Sequence, residues 1–329
     1  MRKFKHITVM GAGAWGTALA ATFARNGHTV TLCGRDDDIC RQINQDHTNN
    51  AYLEGIELPA SLKATTNAGE ALDQSDLVLW SVPAQATRAV AMQVGAFVPA
   101  SIPLIACAKG IEKKSGRLQT EILQEFFPEN TYAALSGPSF AADIAKGLPT
   151  AVVLAMSDIS RAQDIASALS SKFLRMYISD DPRGVQFSGA LKNVIAIAVG
   201  ICRGGNYGSS AEAALIARGY SEMMRLGLVL GVKPETLMGL SGLGDLVLTC
   251  SSPLSRNFQY GIAIGRGEAT ANLKLAEGVS TIGMANALAR AHKVSCPISE
   301  ITQSILEGKT KHNKAFEKLM MRPVKHESR

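Results

Sequence analysis

A chain of 329 residues, 46% apolar and 19% charged, is globular, exceeds one ordinary hydrophobic core and suits two domains. Its formal charge of +6 is concentrated in residues 309–329, where seven Lys/Arg stand against two Asp/Glu and leave the remainder near neutral. A basic tail with one aromatic, Phe316, reads as a solvated C-terminal helix and its fray rather than a nucleic-acid module.

The first residues, Met1-Arg-Lys-Phe-Lys-His6, lead directly into a strand, without the apolar core or cleavage site of a signal peptide. No uninterrupted run of about 18 apolar residues occurs, so no membrane span is expected. Six cysteines, at 33, 40, 107, 202, 250 and 296, form no Cys-x-x-Cys pair; several lie in apolar runs, as free thiols do in a reducing compartment. A cytoplasmic protein is expected.

His6-Ile-Thr-Val-Met10 is a β-rich run, followed at once by Gly11-Ala-Gly13-Ala-Trp-Gly16. An Ala-rich helix over 17–26 closes at Gly27, and Thr29–Cys33 is a second strand. A lone GxGxxG is weak, but between a strand and a helix it marks a dinucleotide-binding βαβ unit. Gly11 allows the tight turn, Gly13 lets a pyrophosphate approach the main chain, and Gly16 lets helix and strand pack closely. Where a carboxylate would select NAD stands Gly34-Arg35-Asp36, so Arg35 predicts acceptance of NADP, with NAD possible through Asp36.

The α/β rhythm continues with strands over 76–83, 102–108, 131–135, 150–156 and 173–178, and helical runs over 85–97, 115–127 and 140–146. This predicts a Rossmann-type, mostly parallel sheet over residues 1–182, whose ligands bind beyond the carboxyl ends of the strands. Trp80–Pro83, Lys109 and Ser136–Ser139 fall at such ends.

After the break at Ser179-Asp-Asp-Pro-Arg-Gly184, helical patterns cover 186–202, 210–231, 234–240, 255–266, 278–292 and 297–307. An all-α domain over 183–329 is expected, ending in the basic tail. In Gln186–Cys202, Lys192 is the only charge on a helix apolar around most of its circumference. It either snorkels to solvent or is buried with a partner and a lowered pKa. Asp245 and Thr249, four apart, share a helix face; Ser255-Arg256-Asn257 suits an anion at a helix N-terminus; Glu277 stands alone between Ala276 and Gly278. Each of Asp245, Ser255 and Glu277 taken singly also reads as a helix cap or first-turn acid.

Reduction of a ketone by a nicotinamide needs a proton for the developing alkoxide, and a buried lysine tuned toward about 7–8 can supply it. The six histidines lie at 6, 28, 47, 292, 312 and 326, away from the middle of the chain and without metal-ligand spacing, which argues against a histidine acid or a zinc site. The residues alone describe a lysine-dependent dehydrogenase of a small anionic oxo compound, with Asp245 holding Lys192 and Arg256-Asn257 holding the anion.

Over nearly its whole length the sequence resembles the bacterial-type NAD(P)-dependent glycerol-3-phosphate dehydrogenases. The motifs are Gly11-Ala-Gly-Ala-Trp-Gly-Thr-Ala-Leu19, Ser136-Gly-Pro-Ser-Phe140, Gly189-Ala-Leu-Lys-Asn-Val-Ile195, Gly242–Cys250, Ser255-Arg-Asn257 and Ala276-Glu-Gly278. The resemblance implies reversible reduction of dihydroxyacetone phosphate to sn-glycerol 3-phosphate, supply of glycerophospholipid synthesis, and a homodimer. It implies that Lys192 transfers the proton, with Asp245 and Thr249 orienting it and the substrate, so that Lys192 and Asp245 also bind substrate. It places Lys109, Gly137, Ser139, Ser255, Arg256 and Asn257 at the substrate. It places Gly11, Gly13, Ala14, Trp15, Gly16, Arg35, Lys109, Ala141, Arg256 and Glu277 at the dinucleotide.

Two departures stand out. Ser209-Ser210 replace an expected Asp/Asn-Asn in the 203–211 loop, so no site is assigned there, and Cys33 replaces a usual Trp. The competing readings are a β-hydroxyacid or ketopantoate-type lysine dehydrogenase and a non-catalytic dinucleotide sensor.

Overall fold

The computed structural model describes residues 4–273, 276–324 and 326. The last part of the basic tail, residues 325 and 327–329, lies outside them, as do the first three residues of the expected N-terminal lead-in.

The first half alternates strands and helices: β1 His6–Met10, α1 Ala14–Arg25, β2 Thr29–Cys33, α2 Asp37–Asp46, β3 Lys63–Thr65, α3 Ala68–Leu72, β4 Leu77–Trp80 and α4 Thr87–Val94. It continues with β5 Pro103–Ala106, α5 Gln119–Phe126, β6 Thr131–Ser136, α6 Ala141–Ala145, β7 Thr150–Ala155, α7 Ile159–Leu169 and β8 Leu174–Ser179. The eight strands form one sheet in the order β3-β2-β1-β4-β5-β6-β7-β8, parallel except for the β6–β7 pair. β1 pairs with both β2 and β4, so the chain reverses its winding there, where such sheets open a crevice for ligands.

Both faces are covered. Ile7, Val9, Leu77 and Leu79 belong to the core under α1, while Met10, Val78 and Trp80 belong to the core on the opposite face. Strands buried on both sides read as continuous apolar runs, which is why they were legible. The three-residue edge strand β3 and the helices α2, α3 and α7 carry weaker patterns and were not anticipated. The expected helix over 115–127 begins only at Gln119, after the turn at Gly116.

The second half is helical: α8 Pro182–Gly204, α9 Ser209–Val229, α10 Pro234–Met238, α11 Asp245–Ser251, α12 Arg256–Gly265, α13 Glu277–Ala291, α14 Pro297–Leu306 and α15 His312–Met320. A π-turn, Leu240–Gly244, leads into α11. α8 starts with Asp181 accepting from the Gly184 amide at 2.8 Å and Pro182 in the first turn. By length and composition it could cross a membrane, yet its most apolar stretch is wholly enclosed by protein.

What encloses α8 most closely is α12. A Cβ on Gly200 would sit 2.2 Å from the Phe258 carbonyl oxygen, and one on Gly261 2.2 Å from that of Ile197. Gly204 and Gly265, one turn further along each helix, face equally close backbone. Two Gly-x-x-x-Gly faces therefore press backbone against backbone, and this spacing brings the N-terminus of α12 to the helix that carries Lys192.

Candidate active site

Lys192 lies in the middle of α8 and does not snorkel: the residue is 5% exposed. Its Nζ donates to Asp245 Oδ1 and, at 2.7 Å, to Thr249 Oγ1. Asp245 and Thr249 are successive inward residues of α11, as their spacing predicts. The Thr249 hydroxyl donates to the Asp245 carbonyl oxygen at 2.6 Å, so its lone pairs face the lysine. Asp245 is fully buried and is not an N-cap; Gly244 holds that position.

The other carboxylate oxygen of Asp245 accepts from Lys109 Nζ at 2.7 Å. Lys109 follows β5 and also donates to the Gly137 carbonyl oxygen at 3.0 Å. One carboxylate thus joins a lysine from each half of the molecule. Burial lowers the pKa of Lys192 to about 7; Lys109 adds to the lowering and Asp245 opposes it. Asp245 balances one positive charge and Lys109 already claims part of it, so desolvation prevails.

Ser139 Oγ donates to the Gly137 carbonyl at 3.0 Å, placing Gly137 and Ser139 beside Lys109. Gly137 has φ +145°, and a Cβ there would lie 2.9 Å from Val152 Cα, so only glycine fits. The sequence reading missed Asn193, whose Nδ2 donates to the Lys109 carbonyl at 3.0 Å and ties α8 to the end of β5. Its signal was present: Lys192-Asn193 is a polar pair inside an apolar helix.

The α12 cluster divides. Ser255 is the N-cap, its Oγ accepting from the Phe258 amide at 3.2 Å, which leaves its hydroxyl proton and one lone pair for a ligand. Arg256 is exposed at the first helical position, near enough to Glu277 to counter the effect of burial on its carboxyl. Asn257 Oδ1 accepts from the Gly278 amide at 2.9 Å, joining α12 to α13. Glu277 is in the first turn of α13, but its Oε1 reaches across to the Ala84 amide at 3.1 Å, and burial raises its pKa.

Profiles of the NAD-dependent glycerol-3-phosphate dehydrogenase N-terminus and C-terminus match residues 6–162 and 181–317. A glycerol-3-phosphate dehydrogenase (NAD(P)+) of Chelativorans sp. (strain BNC1) is 49% identical over 321 residues, 98% of each chain. The chain belongs to the NAD-dependent glycerol-3-phosphate dehydrogenase family. The enzyme of that name from Brucella ovis is 47% identical over 98% of each chain. The crystal structure of glycerol-3-phosphate dehydrogenase from Coxiella burnetii superposes with TM-score 0.92 at 36% identity, covering 97% of this chain and 99% of that one. A ketopantoate reductase structure from Ralstonia eutropha, 17% identical with TM-score 0.62 over 94% of this chain and 99% of its own, shares the fold alone.

The glycine turn fits the family's dinucleotide. Gly11 has φ +107°, and a Cβ there would lie 2.8 Å from the Ser81 carbonyl oxygen; Gly16 packs closer still, on Gly11. Gly13 has nothing within 4 Å of where a Cβ would be, and α1 starts there without a side-chain cap, so its first amides are available to phosphate. Ala14 and Trp15 form the first turn, and the Trp15 indole N–H is buried without a partner. Lys109 Nζ lies 6.0 Å from the Trp15 ring centroid. Ala141 opens α6 and packs with the α1 side of the sheet. Arg35 is exposed just after β2, while Asp36 Oδ1 caps α2 by accepting from Asp38 and Ile39 at 3.0 and 3.2 Å. That carboxylate is oriented through Oδ1 by its own helix, and the Arg35 side chain stands exposed beside it.

The 203–211 loop starts α9 at Ser209 and packs Tyr207 against Phe316; Arg203 is paired with Glu212 and covers Phe258. Cys33 is buried, as packing requires.

Proposed function

We propose that the chain interconverts dihydroxyacetone phosphate and sn-glycerol 3-phosphate using NADPH or NADH, with Lys192 as the proton-transfer group. The reading rests on one observation above the others: a buried lysine clamped by Asp245 and Thr249 beside a dinucleotide turn. Lys192 Nζ has three directions besides its own carbon. Two point to Asp245 and Thr249, and the third is left for a substrate oxygen.

In reduction, Lys192 as ammonium donates its third proton to the carbonyl oxygen as charge develops there. In oxidation, the neutral amine keeps its two bonds, and its lone pair accepts the hydroxyl proton. The nicotinamide, when bound, supplies or takes the hydride at carbon. Lys109, fixed by Asp245 and Gly137, adds a second positive charge near that oxygen. Arg256 and the Asn257 amide at the α12 N-terminus are placed to bind the phosphate, with Ser255 beside them. Gly11, Gly13, Ala14, Trp15, Gly16, Ala141 and Arg35 would hold the dinucleotide, and Arg256 and Glu277 would meet it from the helical half.

Family membership supports a small phosphorylated substrate. We further propose that the product feeds glycerophospholipid synthesis, in the cytoplasm, from a homodimer. The deciding assay follows dihydroxyacetone phosphate reduction with NADPH and NADH in parallel. Turnover with phosphorylated substrate, and none with an unphosphorylated 2-oxo acid, is expected; the reverse would favour a carboxylate dehydrogenase. Binding of either nicotinamide without turnover of any oxo substrate would favour a sensor.

A further inference from the structure

Among the described residues, those of the basic C-terminal segment make none of the contacts of the site described above. α15 is pinned to the helical half by its inner side: Ala315 is buried, and Phe316 stacks on Tyr207 with ring centroids 3.9 Å apart and planes 10° from parallel. The Tyr207 hydroxyl and His312 Nδ1 are 3.0 Å apart. Leu319 packs against the same core.

The outer side has a different chemistry. Lys309, Lys311, Lys314, Lys318 and Arg322 are all exposed, and the one acid between them is Glu317. Lys309 pairs with Glu307 at 2.6 Å, which leaves four cations facing outward. At the end of α15 and just after it, Met320, Met321 and Val324 are 78%, 84% and 101% exposed. An exposed run of cations that ends in exposed long apolar side chains matches a surface that carries anions on its face and hydrocarbon just beneath.

We infer that the segment from Lys309 to Val324 is a docking surface for an anionic lipid bilayer. Lys311, Lys314, Lys318 and Arg322 meet the head groups, and Met320, Met321 and Val324 enter the interfacial region. A nucleic acid offers the same phosphate charge, but single-strand binders add aromatic platforms for bases. The one aromatic of this segment is committed to Tyr207, and its exposed apolar groups are aliphatic. Lys314 and Lys318, four apart in α15, share one helix face, so these two cations are already arrayed before binding.

The full chain should sediment with vesicles of phosphatidylcholine mixed with phosphatidylglycerol, and not with phosphatidylcholine alone. Raising salt to about 0.5 M should release it, since the Debye length then falls to a few ångströms. Each cation near an anionic surface contributes about fivefold to partitioning, so K314Q/K318Q should bind about 25-fold more weakly. M320S/M321S should also weaken binding at unchanged charge. Both variants should keep wild-type activity in solution, which shows that they fold. The inference fails if the chain ignores anionic vesicles, binds neutral ones equally, or binds as well after K314Q/K318Q. It fails also if an oligonucleotide binds the segment more tightly than the anionic vesicles do, which would assign it to nucleic acid.

Discussion

Lys192 and Asp245 stand 53 residues apart in the chain and meet as a hydrogen-bonded ion pair in the interior. The pair is not isolated, because Asp245 also holds Lys109. Replacing one lysine therefore does not strand a lone buried carboxylate, which is the usual cost of breaking such a pair.

Lys192→Met keeps much of the side-chain length and leaves Asp245 paired with Lys109. Reduction should fall by at least about 10²-fold, the low end of general acid–base contributions. The NADPH dissociation constant, measured by fluorescence titration, should not change. Wild-type turnover in this variant would return the lysine to a structural role.

The lowered pKa of Lys192 gives the two directions opposite pH profiles. Reduction needs the ammonium and should decline as pH rises through about 7; oxidation needs the amine and should rise through the same range. Asp245 raises this pKa against burial, so Asp245→Asn should move both limbs to lower pH. Folding shows the same linkage. Between about 7 and about 10.4 the unfolded chain holds the proton that the folded one has lost, so this group makes stability increase with pH there. Tm measured across that window should rise less steeply in Lys192→Met than in the wild type.

Glu222 gives the opposite slope. It is 6% exposed on α9, and its carboxylate accepts from the Ile298 and Ser299 amides at 2.7 and 3.2 Å, capping α14 from another helix. Burial raises its pKa to about 7, with the two amides and Arg225 opposing and Glu300 assisting. The folded state then binds the extra proton between about 4.3 and 7, so stability from this group is full below that window and is lost as pH rises through it. Glu222→Gln does not titrate. The Tm of wild type minus that of Glu222→Gln should fall as pH rises from about 5 to 7, and parallel curves would refute the shift.

Gly261→Ala puts a methyl 2.2 Å from a backbone oxygen of α8, where no side chain can move aside. A cost of at least about 1–3 kcal/mol is expected, seen as a Tm lower by several degrees. Since α12 carries Arg256 and Asn257, the KM for dihydroxyacetone phosphate should rise as well.

Two arginines should separate the ligands. Arg256→Ala should raise the substrate KM sharply and shift cofactor affinity less. Arg35→Ala should raise the KM for NADPH and leave that for NADH nearly unchanged, because only NADPH offers a 2′-phosphate to pair with. Steady-state kinetics with each cofactor reads both.

The local patterns of this chain were legible for clear physical reasons. The turn Gly11–Gly16 follows an apolar strand and opens an Ala-rich helix, so backbone geometry is written in the order of residues. Lys192 was conspicuous because a charge on an apolar helix needs an explanation. Asp245 and Thr249 were readable as its partners from their spacing of four on one helix face, whereas the π-turn that leads into α11 and carries them to Lys192 was not. The Gly-x-x-x-Gly faces were visible as letters but had meaning only once two helices were known to cross. Glu222 looked like any surface acid of α9, and its role as a cap comes from a helix that begins 75 residues later, at Pro297. Asp36, read as a possible ribose ligand, uses Oδ1 to cap its own helix and keeps Oδ2 for a ligand, a division of roles that spacing alone does not show.

The shared carboxylate sets the net charge of the interior cluster. With both lysines as ammonium, Lys109, Asp245 and Lys192 sum to one positive charge, which attracts an anionic ketone. Once Lys192 gives up its proton the sum is zero, while the phosphate of the alcohol keeps its charge. In the proposed reduction the positive charge that Lys192 would give up reappears on the nicotinamide that gives up the hydride, so it would move from the buried lysine to the cofactor instead of leaving the site.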